Sequence, residues 1–142
     1  MYLLDTDHLS ILQRPEDQFF SRLKLRIDSI DQTGVFVSIV SFQEQVAGWN
    51  NYLSRARSPK AIVYGYAMLR ALLDRYSAMQ LCSFDDKAAD QAETWKASRI
   101  RVGTMDLRIA AIAVTNGLTL VTRNTVDFER VPGLNFEDWL TK

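Results

Sequence analysis

The amino-acid sequence predicts a single α/β domain, with a central parallel β-sheet flanked by helices on both faces. Three observations lead there. Short apolar runs of strand length alternate along the whole chain with longer segments whose apolar residues recur at helical spacing. The 142 residues suit one domain, which at that size can bury roughly 70% of the surface its unfolded form exposes. No repeat, low-complexity tract or linker divides the chain, so the domain is expected to span residues 1–142.

Each element has its own justification. Tyr2 to Leu4 reads as a short buried strand ending at Asp5, and Asp7 is placed to N-cap a helix that begins at His8. Pro15 interrupts, after which Phe19, Leu23, Ile27 and Ile30 form one apolar helical face. Gly34 ends that helix and VFVSIV supplies the next strand. Ser41-Phe-Gln-Glu44 has the S-x-x-E form of a capping box, with Phe42, Val46, Trp49 and Leu53 following at helical spacing. Glu44 lies off that face, beside the small residues Ala47 and Gly48. Beyond SRARSPK a further helix runs through Ile62, Tyr66, Leu69, Leu73 and Tyr76. QLCSF reads as a short strand, Asp85 as an N-cap and Ala88 to Ala97 as a helix. Thr104 is placed to cap the apolar helix LRIAAIAVTNG, which Gly117 stops; LTLVT is a buried strand, and a last short one lies near Asn135 and Phe136.

Bulk composition narrows the function. Lys plus Arg equals Asp plus Glu at 17 each, so no net basic charge points to a polyanion partner. Charge does segregate locally: Ser54 to Gln80 carries Arg55, Arg57, Lys60, Arg70 and Arg75 against Asp74 alone, a patch able to track phosphates but read first as a solvated helix face or a protein contact. The single cysteine, Cys82, and the absence of a basic leader in MYLLDTDHLS fit a reducing compartment. No stretch approaches the roughly 20 apolar residues of a membrane span, and the expectation is a cytoplasmic protein.

In an open parallel sheet, ligand sites lie beyond the carboxyl ends of the strands. Asp5 ends the first strand, Glu44 sits in the first turn after VFVSIV, Asp106 opens the AAIAV helix, and Asn124 follows LTLVT with Asp127 three residues on. Taken singly, structural roles suffice: Glu44 can complete its capping box and Asp106 can complement a helix dipole. Taken together they cost more, since two carboxylates about 5 Å apart repel by roughly 3 kcal/mol at an effective dielectric near 20. Three at one sheet edge ask for a cation. An all-oxygen donor set favours a hard ion, Mg²⁺ or Mn²⁺; one His and one Cys are too few for the usual zinc ligands.

Other motifs contribute little. The chain has no P-loop, G-x-G-x-x-G, H-E-x-x-H or G-x-S-x-G. His8 is the one imidazole and is expected at the surface or in a capping role; Trp49, Trp95 and Trp139 are read as core or interface residues. The run LLDTDH also resembles the first motif of haloacid-dehalogenase-like phosphatases, with Asp5 as nucleophile and Asp7 as general acid. The order then fails, because only Lys142 follows LTLVT as a lysine and Leu9 stands where that superfamily usually has Thr or Val. A third possibility is a non-catalytic module whose acid cluster is a docking surface.

The ordered set YLLDTDHLS, SIVSFQE, GTMDLRIAAIA and LVTRNTVDFERVPGLNFEDW resembles the PIN-domain toxins of VapC type, across essentially the whole chain. Each piece alone is weak, whereas four in order at this length are specific. The resemblance implies a PIN-like fold and places the family's metal-binding acids on Asp5, Glu44 and Asp106. The fourth position, often Asp in PIN domains, is Asn124 here, with Asp127 three places later; an uncharged amide implies a weaker second metal site. Thr6 and Thr122 match positions where hydroxyls orient the acids or a water, and the common D-T-N opening is D-T-D, which adds Asp7. Arg99, Arg101 and Arg123 are candidate phosphate contacts. The implied activity is Mg²⁺-dependent RNA cleavage by a toxin that a small VapB-like antitoxin restrains, in a homodimer whose active-site groove receives the antitoxin tail.

Overall fold

In a computed structural model that describes residues 1–141, the expected alternation holds. The elements run β1 (Tyr2–Leu4), α1 (Thr6–Leu12), α2 (Phe20–Asp28), a 3-10 turn (Gln32–Gly34), β2 (Val35–Ser38), α3 (Ile39–Arg55), α4 (Pro59–Ser77), β3 (Gln80–Cys82), α5 (Asp86–Ala97), α6 (Thr104–Thr115), β4 (Thr119–Val121), α7 (Thr125–Phe128) and β5 (Phe136–Glu137). The strands form one parallel sheet in the order β3-β2-β1-β4-β5. Leu3 pairs with Phe36 on one side and Leu120 on the other, which sets β1 at the centre. The chain winds outward from β1 in both directions, so the carboxyl ends of β1 and β4 flank the point where strand order reverses.

Successive residues of a strand face opposite sides, and the two cores follow from that rule. Leu3 and Leu120 enter a core with Trp95 of α5, Ile109 and Ile112 of α6, and Phe128. Leu4, Val37 and Val121 enter the other, with Leu9 of α1, Leu23 of α2, Leu72 of α4 and Trp139. The central strands β1 and β4, three residues each, are thus anchored in both cores. Truncating a fully buried Leu such as Leu120 would cost about 2–5 kcal/mol. The alanines of α6, Ala110, Ala111 and Ala113, are wholly buried and let that helix lie close on the sheet.

Helices α3 and α4 form an antiparallel pair. Gly65 allows their contact, since a Cβ there would stand 2.5 Å from Leu53 Cδ2. At the end of α6, Gly117 takes φ +66°, the left-handed conformation that stops the helix as its sequence position suggests. No helix among the described residues is long and apolar enough to cross a membrane.

The helix starts differ from expectation in three places. Asp5, not Asp7, caps α1: its backbone is extended, its N–H still bonds Val121 O at 2.9 Å, and its carboxylate accepts the Thr6 N–H. The strand therefore hands directly to the helix, and Asp7 falls in the first turn. Ser38, not Ser41, caps α3, accepting the Ser41 N–H at 3.0 Å, because β2 ends at Ser38 and the helix begins inside VFVSIV. Thr104 is the first residue of α6 and Gly103 its N-cap, without a side-chain bond. Asp85 caps α5 as expected.

Candidate active site

Asp5 sits where β1 meets α1 and is 6% exposed. Its Oδ1 accepts the Thr6 N–H at 2.7 Å, and its Oδ2 accepts the Thr122 hydroxyl at 2.8 Å. Thr122, fully buried at the end of β4, also accepts the Asn124 N–H at 3.0 Å, so one hydroxyl ties Asp5 to the loop that carries Asn124. Burial, then the neighbouring charge of Asp7, pushes the Asp5 carboxyl up to about 7; the Thr122 and Thr6 bonds oppose the rise, and Asp106 adds a smaller push.

Glu44 reaches the same edge from α3. Thr6 Oγ1 donates to Glu44 Oε1 at 2.7 Å and lies 2.9 Å from Ser41 Oγ, which is 3.3 Å from Ser38 Oγ. The single Thr6 proton goes to the carboxylate, so Ser41 supplies the proton between the two hydroxyls. Ser38 and Ser41 are both fully buried. Neither serine figured among the expected site residues, although Ser41 precedes Glu44 by one helical turn; the S-x-x-E spacing shows the shared face but not which group answers the hydroxyl.

Asp106 enters from the first turn of α6 and is half-buried. Burial raises its carboxyl pKa first, followed by the charges of Glu44, Asp127 and Asp7, while the Asn124 bond lowers it. The Asn124 amide donates to Asp127 Oδ2 at 3.0 Å and to Asp106 Oδ2 at 3.5 Å. It therefore offers its NH₂ to the acids; ligation through the carbonyl requires the amide to turn over. Asp127 also lies 3.6 Å from Arg130 Nη1, which donates to the Arg101 carbonyl at 3.1 Å.

Asp7 departs from both its expected capping role and the phosphatase scheme. Its Oδ1 lies 2.8 Å from His8 Nδ1 and its Oδ2 accepts the Arg123 N–H at 3.4 Å. His8 is fully buried rather than at the surface, with no partner for Nε2 among the described residues. Its place one turn before Ile11 and Leu12 turns it inward. Of the candidate phosphate contacts, Arg123 is exposed beside Thr122 with its guanidinium 4.8 Å from the Phe19 ring centre. Arg99, in the left-handed region at φ 61°, and Arg101 are exposed in the loop between α5 and α6, and neither pairs with a site carboxylate among the described residues. Trp95 and Trp139 are buried, whereas Trp49 is only partly so.

The fold thus gathers Asp5, Glu44, Asp106, Asn124 and Asp127 at one edge, with mutual charge effects among the acids. The donor chemistry, carboxylate, amide and hydroxyl oxygen, suits a hard divalent cation. As the side chains stand, no group of three acidic, His or Cys residues among the described residues is placed to hold a metal ion.

The pattern of the PIN domain matches residues 2–134. The chain belongs to the PIN-domain family. Its curated relatives are of VapC type. It is 28% identical over 144 aligned positions to the tRNA(fMet)-specific endonuclease VapC of Salmonella typhimurium, covering 97% of each chain. It is 30% identical to the protein of the same name from Shigella flexneri, over 78% of this chain and 80% of that one. Among solved structures, the DNA-bound VapBC of Salmonella typhimurium superposes with a TM-score of 0.74 at 25% identity, covering 97% of both chains. As a VapC-type PIN protein, the chain carries Asp5 at the carboxyl end of β1, Asp106 in the first turn of α6 and Asp127 in α7. Glu44 lies in the second turn of α3, not the first as expected, because that helix begins at Ile39.

Proposed function

We propose that this PIN protein is a Mg²⁺-dependent endoribonuclease acting as the toxin of a toxin–antitoxin pair. The observation that carries the reading is the convergence of Asp5, Glu44 and Asp106 at the switch point of the sheet, in a chain whose relatives are named nucleases. Asp5 and Asp106 are the residues to hold the cation directly: each Asp5 oxygen accepts one hydrogen bond and retains lone-pair capacity for a second partner. Mg²⁺, or Mn²⁺, supplies when bound a Lewis acid for phosphoryl oxygens and a lowered pKa for water. Glu44, with Oε1 held by Thr6, keeps Oε2 to orient the attacking water and accept its proton. Asn124 and Asp127 line the opposite side, where a second cation would be held more weakly. Thr6 and Thr122 fix the carboxylates, while Arg99, Arg101 and Arg123 face the solvent from which a polyanion approaches.

The names of the relatives make tRNA the first RNA to test, and the VapBC complexes among the solved neighbours support an antitoxin of VapB type as partner. Val63, Tyr66 and Leu73 stand exposed along α4, which supports an assembly, antitoxin complex or homodimer, that covers them. Purified protein is expected to cleave RNA only with Mg²⁺ or Mn²⁺, and to arrest growth when expressed without its antitoxin. Asp106→Asn should lose both properties while melting like the parent. Wild-type cleavage by purified Asp106→Asn would refute the assignment. Absence of both RNA cleavage and a Mg²⁺-dependent rise in Tm would favour the non-catalytic docking module instead.

A further inference from the structure

A groove of about 620 Å³ opens from the acidic edge, sharing Thr6 and Glu44 with it and running between α1, α3 and α4. Its far wall is aromatic. Trp49, Tyr52 and Tyr64 pack edge-to-face, with ring centres 5.5, 5.8 and 5.8 Å apart, and Tyr64 is 50% exposed. Residues four apart share a helix face, so Glu44, Gly48 and Tyr52 lie in line on α3; at 1.5 Å per residue, Gly48 stands about 6 Å and Tyr52 about 12 Å along from Glu44.

Gly48 lacks a structural reason. Glycine inside a helix is unfavourable relative to alanine, and packing justifies it at Gly65 but not here, since a Cβ on Gly48 would meet nothing within 4 Å. What the missing side chain does is leave the groove floor open between the acids and the rings. Here Gly48 marks a space kept for something else.

We propose that this groove is a nucleobase subsite, receiving an unstacked base of single-stranded RNA next to the phosphate that lies at Asp5, Glu44 and Asp106. The proposal rests on the nuclease reading and specifies its substrate: RNA with a splayed base beside the cut. Continuity with the acidic edge places a base, rather than a distant contact, in the groove. The lining agrees, because Met68 is the one aliphatic-type hydrophobe among its side chains, and the rest are aromatic rings, amides, hydroxyls and charges. An amphipathic helix seeks aliphatic pockets, whereas a base offers a π-face to rings and polar edges to amides.

The test is binding of single-stranded oligoadenylate, followed by tryptophan fluorescence in an Asp106→Asn background that does not cut, with an abasic oligonucleotide of equal length as control. Oligoadenylate should bind more tightly than the abasic chain, and Tyr64→Leu and Gly48→Met should each weaken it roughly tenfold, as loss of one base stack does, while leaving abasic binding unchanged. Gly48→Met should also raise Tm, so its loss of affinity is not a folding defect. Equal affinity for both oligonucleotides, or unchanged oligoadenylate binding by both variants, would overturn the subsite. So would variants that weaken only an apolar peptide, which would give the groove to a protein partner. In all these cases Mg²⁺-dependent RNA cleavage by the wild-type protein would leave the nuclease reading standing, whereas its absence would remove that reading independently.

Discussion

The two halves of the acidic centre are built differently. On the side of β1, α1 and α3, Asp5 and Glu44 are held by bonds of 2.7–2.8 Å from Thr6 and Thr122, backed by the buried Ser38 and Ser41. On the side of α6 and α7, Asp106 is half-buried and shares with Asp127 a single amide, at 3.5 and 3.0 Å. The first half is preorganised by strand ends that cannot move without disturbing both cores. The second is carried by the first turn of α6 and the four-residue α7, with fewer hydrogen bonds to its carboxylates. If the centre holds a cation as proposed, Asp106 and Asp127 have less to give up in meeting it than Asp5 and Glu44.

The largest expected effects come from removing a charge on either side. Asp5→Asn and Asp106→Asn should each abolish RNA cleavage and erase the rise in Tm that Mg²⁺ gives the parent, measured by gel assay and thermal melts. The halves should differ in the metal-free protein: Asp5→Asn alters a buried group clamped on both oxygens, so only that variant should change metal-free stability noticeably.

A sharper contrast comes from the supports. Thr122→Val removes the hydroxyl from Asp5 Oδ2 at almost unchanged volume, and should lower activity or metal affinity roughly 10–100-fold. Asp127→Asn, at the less bonded side, should cost less than Thr122→Val in the same Mg²⁺ titration. Equal losses would mean that the two halves are equally fixed.

Asp5 also gives the metal-free protein a pH signature. Its carboxyl lies near 7 in the folded chain against 3.8 for the free group, so between those values the folded state retains a proton that the unfolded state has released. Stability is therefore greatest below about pH 4, as far as this group is concerned, and falls as pH rises toward 7, by on the order of a few kcal/mol, levelling above that. Metal-free melts from pH 5 to 8 should show Tm declining; Asp5→Asn should flatten the decline, and Mg²⁺ should offset it at the upper end by favouring the ionised form. A metal-free Tm that rises across this range in the parent but not in Asp5→Asn would contradict the buried, proton-retaining Asp5.

Much of this arrangement was legible in the chain. Tyr2 to Leu4 and LTLVT announce buried parallel strands because both faces are apolar, and the polar residue after each is then at the ligand edge whatever the details. The caps were less legible because several residues in each stretch can serve: Asp5 and Asp7, or Ser38 and Ser41, are equally good acceptors locally. What decides between them is the tertiary ladder, since Asp5 still pairs with Val121 and so must be extended. The burial of His8 was illegible for a related reason, because which side of α1 faces the second core depends on where the helix begins. A start two residues earlier changes the role of every polar side chain in its first turn.

The smallest expected effect concerns Asp7, and it tests whether the fixed half extends beyond the acids themselves. Asp7 bonds His8 and the Arg123 N–H, thereby linking α1 to the loop after β4, but its charge also pushes up both Asp5 and Asp106. Asp7→Asn keeps an oxygen for the Arg123 N–H and removes the charge. The two consequences oppose each other: a slightly looser loop, and Asp5 and Asp106 that ionise more readily. Activity should therefore stay within a few-fold of the parent, with its acid limb shifted to lower pH, because deprotonation of the ligands becomes easier. Asp7→Leu, which removes the acceptor as well, should lose more activity than Asp7→Asn at every pH. If the two variants lost activity equally, the loop link would be immaterial and Asp7 would act through charge alone.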